Sequence, residues 1–235
     1  MVRRLSLQYD AELDYHPQFE GYEPGTVIKQ ADTVLAGYPL MYPMNPSTRL
    51  HDLEQYEAVT DPGGPAMTWA MFAVGQLDLG HTGTAESLFR RSYQPYYHPP
   101  FYMWTENVNG TGAVNFLTGM GGFLQSVMFG YFGVRTRLDR MEFNPLLPPN
   151  TSTMEMIGVN YYGNEFDIEV TETIIRVTFK TITNEMVLVL ETSGYVTVIS
   201  SPDTIVLPSG SSFYLGPNTD NFLTQCSLPD DTIGH

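Results

Sequence analysis

The hydrophobic period of this chain changes once, on either side of the proline-rich run Asn144-Pro145-Leu146-Leu147-Pro148-Pro149, and nothing else in the sequence restricts the fold as tightly. Ahead of that run, apolar residues recur at helical spacing. Val27, Ile28, Ala31, Val34 and Leu35 fall on one helical face, with Lys29, Gln30 and Asp32 off it, and Gly37 and Pro39 stop the run. Asn45-Pro46 opens a second helix, with Asn as cap and Pro at the first helical position, anchored by Leu50 and Leu53. Residues 65–74 are apolar nearly all round, which predicts a helix buried on most sides and ended by Gly80. Further helices are predicted over 82–92 and 113–131. Beyond the prolines the period is two. Phe166, Ile168 and Val170 alternate with Glu165, Asp167, Glu169 and Thr171, and Ile175, Val177 and Phe179 repeat the pattern. Gly163-Asn164 and Asn184 supply turns, and residues 187–191 and 195–199 read as further strands. The chain therefore reads as α+β: a helical part over 1–135, a linker over 136–152, a small antiparallel β-sandwich over 153–216 and a loose tail over 217–235.

Charge and cysteine usage narrow the function classes. A net charge of −15, from 11 Lys and Arg against 26 Asp and Glu, repels phosphodiester backbones, so nucleic acid is not an expected partner. A neutral glycan meets no such repulsion, and 15 Tyr, 13 Phe and 2 Trp suit sugar binding as well as a core. The lone Cys226 allows no internal disulfide and no cysteine zinc site, and the five histidines lack metal-ligand spacing. No metal or cofactor is expected. Arg3-Arg4 is followed by no apolar stretch, no window reaches the length of a membrane span, and a cytoplasmic location is expected.

The segment Phe101-Tyr102-Met103-Trp104-Thr105-Glu106-Asn107 precedes Asn109-Gly110-Thr111-Gly112-Ala113 and then Asn115-Phe116-Leu117-Thr118-Gly119-Met120-Gly121-Gly122-Phe123-Leu124-Gln125. A lone carboxylate in an aromatic loop ahead of a glycine-rich helix suits a general base in a carbohydrate site. Aromatic faces stack on sugar rings, and glycines let a ligand approach backbone N–H groups. The same glutamate equally fits a solvated or hydrogen-bonded structural group, and Trp104 fits a pocket wall or the core. Lys29 and Gln30 offer a cation and an amide to sugar hydroxyls, and they also fit ordinary helix surface positions.

Taken with Phe19-Glu20-Gly21-Tyr22 and Lys29-Gln30-Ala31-Asp32, the Thr118-Gly119-Met120-Gly121-Gly122-Phe123-Leu124-Gln125 string resembles the C-terminal portion of glycoside hydrolase family 65. The resemblance implies the last part of an (α/α)6 barrel followed by a β-sheet domain. It implies hydrolysis of a terminal α-linked glucose with inversion, from a neutral α-glucoside or a glycopeptide such as glucosyl-galactosyl-hydroxylysine of collagen. On this reading Glu106 is the general base, and Lys29, Gln30 and Trp104 bind substrate. The family's phosphorylases lack the base and carry a His-Ser-Ser stretch. Here the comparable region is Thr60-Asp61-Pro62-Gly63-Gly64-Pro65-Ala66-Met67-Thr68, which favours hydrolysis. The general acid lies upstream of the Lys-Gln-Ala-Asp motif in the family, and none of Glu12, Asp14 and Glu20 matches its pattern. Asp32 is expected to cap or to form a salt bridge, and Glu20 to order the pocket. An incomplete barrel would leave inner helix faces such as Trp69, Met71 and Phe72 exposed. A glycan-binding module without turnover, a helical scaffold and a disaccharide phosphorylase are the competing readings.

Overall fold

A computed structural model describes residues 7–191 and 194–219, so the expected tail lies largely outside the described residues. The chain divides into two compact units at Gly130/Tyr131. The first holds a 3-10 turn (Thr33–Ala36), α1 (Pro46–Val59), α2 (Trp69–Asp78), α3 (Thr82–Tyr93), the short strands β1 (Tyr97–His98) and β2 (Met103–Trp104), and α4 (Leu117–Gln125). A π-helical turn, Ser126–Tyr131, continues α4.

Helix α2 is the hub of this unit and touches α1, α3, α4 and the 3-10 turn. Its composition explains why. Trp69, Ala70, Phe72, Ala73, Val74, Gly75, Gln76 and Leu77 are all buried, so every side of the helix needs a neighbour. Small residues set the distances. A Cβ on Gly75 would lie 2.6 Å from Leu53 Cδ2 of α1, and one on Gly122 would lie 3.2 Å from the Ala70 Cβ. Leu79 and Gly80, the latter at φ +76°, end the helix. Trp69 and Phe72 are fully buried and Met71 is half-buried, which corrects the expectation of exposed inner faces: α1, α3 and α4 already cover them. The α1 start agrees with the sequence, although the Asn45 side chain makes no capping hydrogen bond. The N-terminal segment docks on α1. Buried Asp52 accepts from the His16 backbone N–H at 2.7 Å and pairs with its ring at 2.8 Å, while burial pushes the Asp52 carboxyl above its ordinary range.

Three helical expectations fail in whole or in part, the mildest being the helix expected from residue 65, which starts at Trp69. Residues 27–32 form no helix, because the Ile28 backbone is committed elsewhere. Its N–H donates to Val59 O at 3.0 Å and its carbonyl accepts from Asp61 N–H at 2.8 Å, in a parallel bridge to Thr60. Ile28, Ala31 and Val34 are buried at helical spacing all the same, but Val27, expected on the same face, is 71% exposed, so only part of the hydrophobic pattern holds, and the backbone hydrogen-bond partner is different. Helix α4 begins at Leu117 instead of 113, because the residues before it belong to a hairpin.

The second unit consists of two antiparallel sheets. Its strands are β3 (Arg135–Thr136), β4 (Met141–Phe143), β5 (Thr153–Tyr161), β6 (Asn164–Thr171), β7 (Ile174–Thr181), β8 (Met186–Leu190), β9 (Tyr195–Ile199), β10 (Asp203–Pro208) and β11 (Phe213–Pro217). One sheet has the order β10-β7-β6-β5 and the other β3-β4-β11-β8-β9. Register follows the alternation: Phe166 faces Phe179, Ile168 faces Val177 and Val170 faces Ile175, all six buried. Phe143 of one sheet stacks on Phe213 at 4.9 Å and meets Phe166 of the other edge-on at 6.2 Å. Gly163 adopts the turn's positive φ, whereas Asn164 is buried and clamps the next turn. Its Oδ1 accepts from the N–H groups of Thr183 (2.7 Å) and Asn184 (3.0 Å).

Asp167 on β6 contributes to the pH dependence of this unit. Lys180 donates to Oδ2 at 2.7 Å and Gly158 N–H donates to Oδ1 at 2.8 Å, and both hold the carboxyl below its ordinary range. A depressed folded-state pKa contributes stability above the ordinary carboxylate range, and that stability is lost as pH falls through the lowered value. Asp167→Asn should therefore melt below the wild type at pH 7, and the two melting temperatures should converge in strong acid. A difference that grew on acidification would overturn this assignment.

Candidate functional site

Glu106 sits on one arm of a hairpin. The arms pair antiparallel at Thr105 and Val114, and Glu106 N–H donates to Ala113 O at 2.9 Å. Residues paired in this way ordinarily exchange both backbone bonds. Here the reciprocal bond is replaced. The Glu106 carbonyl accepts from Ala66 N–H at 2.9 Å, and the freed Ala113 N–H donates at 3.1 Å to carboxylate oxygen Oε2. Oxygen Oε1 has no partner among the described residues. The hairpin end is closed by Asn107 N–H on Thr111 O (3.1 Å), and Asn109 Oδ1 accepts from Thr111 N–H at 3.1 Å. Gly112 adopts φ +80°. The side chain that carries the carboxylate is thus fixed by its own loop.

Lys29 is exposed and makes no hydrogen bond or ion pair among the described residues. Gln30 is half-buried, and its Nε2 donates to Asp32 Oδ1 at 3.3 Å. Asp32 Oδ2 accepts from Gln18 Nε2 at 2.8 Å, so Asp32 binds two glutamine amides instead of capping or forming a salt bridge. Glu20 is exposed, with no hydrogen bond among the described residues that would let it order a pocket.

One short segment joins the two motifs. Asp61 N–H meets the Ile28 carbonyl, Gly64 packs on the Lys29 carbonyl with room for no Cβ (2.5 Å), and Ala66 N–H meets the Glu106 carbonyl. Gly64 and Ala66 are two residues apart, so their Cα atoms are separated by roughly 7.6 Å at most. The backbones of Lys29 and Glu106 are therefore neighbours, although neither motif encodes the other.

Trp104 belongs to a different hollow. It lines a cavity of about 600 Å³ together with Phe89, Tyr93, Tyr97, Tyr102 and Phe123, and Glu106 is not among the lining residues. The Trp104 ring meets Phe123 edge-on at 6.1 Å, Phe123 stacks on Phe89 at 5.1 Å, and Tyr93 stacks on Tyr97 at 5.9 Å. Beside the Glu106 hairpin lies a smaller cavity of about 290 Å³, lined by Gly63, Asn107, Val108, Asn109 and Thr111. Phe89, Tyr93 and Tyr97 were not singled out in the sequence, and Phe123 entered only as part of the glycine-rich string, although the i,i+4 spacing of Phe89 and Tyr93 is a usable signal. Among the described residues, no cluster of three histidine, cysteine or acidic side chains is placed to hold a metal ion.

Residues 134–188 match the profile described as Glycosyl hydrolase family 65, C-terminal domain. With the long alignments below, this places the chain in glycosyl hydrolase family 65. The protein-glucosylgalactosylhydroxylysine glucosidase of Danio rerio is 44% identical over 209 residues, which cover 89% of this chain and 31% of that protein. The protein of the same name from Gallus gallus is 47% identical over 176 residues, covering 75% of this chain and 25% of its own length. The chain thus spans about a third or less of these relatives. A microbiome protein described as a kojibiose phosphorylase shares the fold, with a TM-score of 0.65 at 14% identity over 86% of this chain and 30% of that one. No helix among the described residues is long and apolar enough to cross a membrane.

Proposed function

We propose that the protein acts as a glycoside hydrolase that releases a terminal α-linked glucose with inversion, and that Glu106 is the general base. The observation that carries this reading is the carboxylate itself: Oε2 is tied to Ala113 N–H, and Oε1 is left to orient a water. In an inverting hydrolysis that water attacks the anomeric carbon from the face opposite the leaving oxygen, while a second carboxyl group, about 6.5–9.5 Å from the first, protonates that oxygen. Lys29, free of internal partners and anchored two residues along the same segment, donates with Gln30 to hydroxyls of the glucose. Trp104 supplies an apolar wall from the neighbouring aromatic cavity. The helical unit is read as part of an (α/α)6 barrel and the second unit as a β-sandwich.

The relatives' names support glucosyl-galactosyl-hydroxylysine as the substrate, cleaved to glucose and galactosyl-hydroxylysine. Residues 60–68 contain no His-Ser-Ser stretch, which favours water over phosphate. No residue of this chain is assigned as the proton donor. The 235 residues alone are accordingly expected to release glucose slowly or not at all, since a positioned acid is worth about 10²–10⁴-fold. The test is to incubate a preparation that turns over glucosylgalactosylhydroxylysine with that substrate and inorganic phosphate and to follow the first product by proton NMR. β-Glucose appearing first supports inverting hydrolysis. α-Glucose appearing first refutes inversion, and glucose 1-phosphate makes the protein a phosphorylase.

A further inference from the structure

The glycines of the hairpin were expected to leave room for a ligand. The space over Gly112 is instead filled by the protein's own carboxylate. A Cβ on Gly112 would lie 2.8 Å from the Cβ and the Oε2 of Glu106 and 2.8 Å from Asn107 Nδ2. No real Cβ tolerates such contacts, so any side chain at this position drives the Glu106 side chain away from the Ala113 N–H that holds it.

We propose that Gly112 is a positioning residue for Glu106: its missing side chain is the seat of the carboxylate, which fixes Oε2 on Ala113 N–H and leaves Oε1 without a protein partner among the described residues. The inference rests on the reading of Glu106 as the base, and it adds a residue that touches neither water nor sugar. The hairpin contains its own control. Gly110 has nearly the same backbone strain, φ +78° against +80°, but its nearest potential contact is His98 Nε2 at 3.9 Å. Gly110→Ala therefore imposes the strain of a positive φ without entering the carboxylate's space.

The experiment needs no turnover. An amide that donates to a carboxylate changes its proton chemical shift as the carboxylate ionises, so the Ala113 amide is followed by NMR between about pH 7 and pH 3. The wild-type response should vanish in Glu106→Gln, which assigns it. It should persist in Gly110→Ala and be lost in Gly112→Ala. Retention in Gly112→Ala, or equal loss in both glycine variants, overturns the proposal. Should Gly112→Ala fail to fold, the double variant Glu106→Gly/Gly112→Ala decides. With the carboxylate side chain gone, the one close contact left is Asn107 Nδ2, the far end of a flexible side chain that can swing aside, so alanine at 112 should be tolerated nearly as well as alanine at 110, and continued failure to fold refutes the idea. Glucose release by Glu106→Gln is scored separately, in a preparation whose wild type releases glucose: undiminished release there defeats the assignment of the base and leaves the NMR result standing.

Discussion

Replacing Glu106 by glutamine is expected to lower kcat for glucose release by about 10²–10⁴-fold while leaving KM within about threefold. Glutamine has nearly the shape of glutamate, and its carbonyl oxygen can still accept from Ala113 N–H, so the hairpin keeps its geometry. On the proposed reading of Glu106 as the base, what disappears is the capacity to take a proton from water. Lys29→Ala should show the opposite pattern. A charged donor on a sugar hydroxyl contributes about 1.5–3 kcal/mol, so its loss should raise KM by roughly 10–150-fold with a smaller effect on kcat. Steady-state kinetics in a preparation that releases glucose separates the two roles. Equal losses in kcat and KM from both variants would mean that neither residue has the function given to it.

Trp69→Ala is expected to destabilise the helical unit by about 3–5 kcal/mol, a large part of the 5–15 kcal/mol that ordinarily holds a domain together. Trp69 is fully buried at the start of α2, with its ring 5.7 Å from that of Phe72. The Arg91 guanidinium carbon lies 3.4 Å from its ring centroid. Truncation removes the largest side chain of the hub helix and leaves Arg91 over a void. Calorimetry should show the transition of this unit lowered by roughly 10–25 °C, or lost. Arg91→Ala, which removes the cation and keeps the ring, should cost much less, on the order of 1 kcal/mol. A Trp69→Ala transition within a few degrees of the wild type would mean that α2 is not the centre of this core.

Sheet register was legible in the sequence because period two assigns each residue of β6 and β7 to one face, and the buried set Phe166, Ile168, Val170, Ile175, Val177 and Phe179 is the set the alternation selects. The 27–35 segment was misread for a related reason. Spacing reports which residues are buried, and it is silent on whether the backbone bonds locally or, as Ile28 does, to Val59 and Asp61. Strands β3 and β4 have two and three residues, too few to show a period. Around Glu106 the aromatic and glycine-rich context was readable. The exchange of a ladder bond for a carboxylate bond was not, because it depends on Ala66 claiming the Glu106 carbonyl from far along the chain. Trp104 was visible as an aromatic, but the cavity it lines is assembled from α3, the β1–β2 region and α4.

The segment that carries Asp61, Gly64 and Ala66 has a bearing on how such a site can be moved between proteins. Surface connections usually absorb insertions and serve as convenient splice points. Here two peptide units set the offset between the proposed sugar-holding pair and the proposed base, because Gly64 abuts Lys29 and Ala66 holds Glu106. Grafting the Lys-Gln-Ala-Asp string and the glutamate hairpin onto a foreign scaffold would transfer both motifs and lose their alignment. The transplantable unit is three pieces long, and the piece with no chemistry of its own is the one that cannot be stretched.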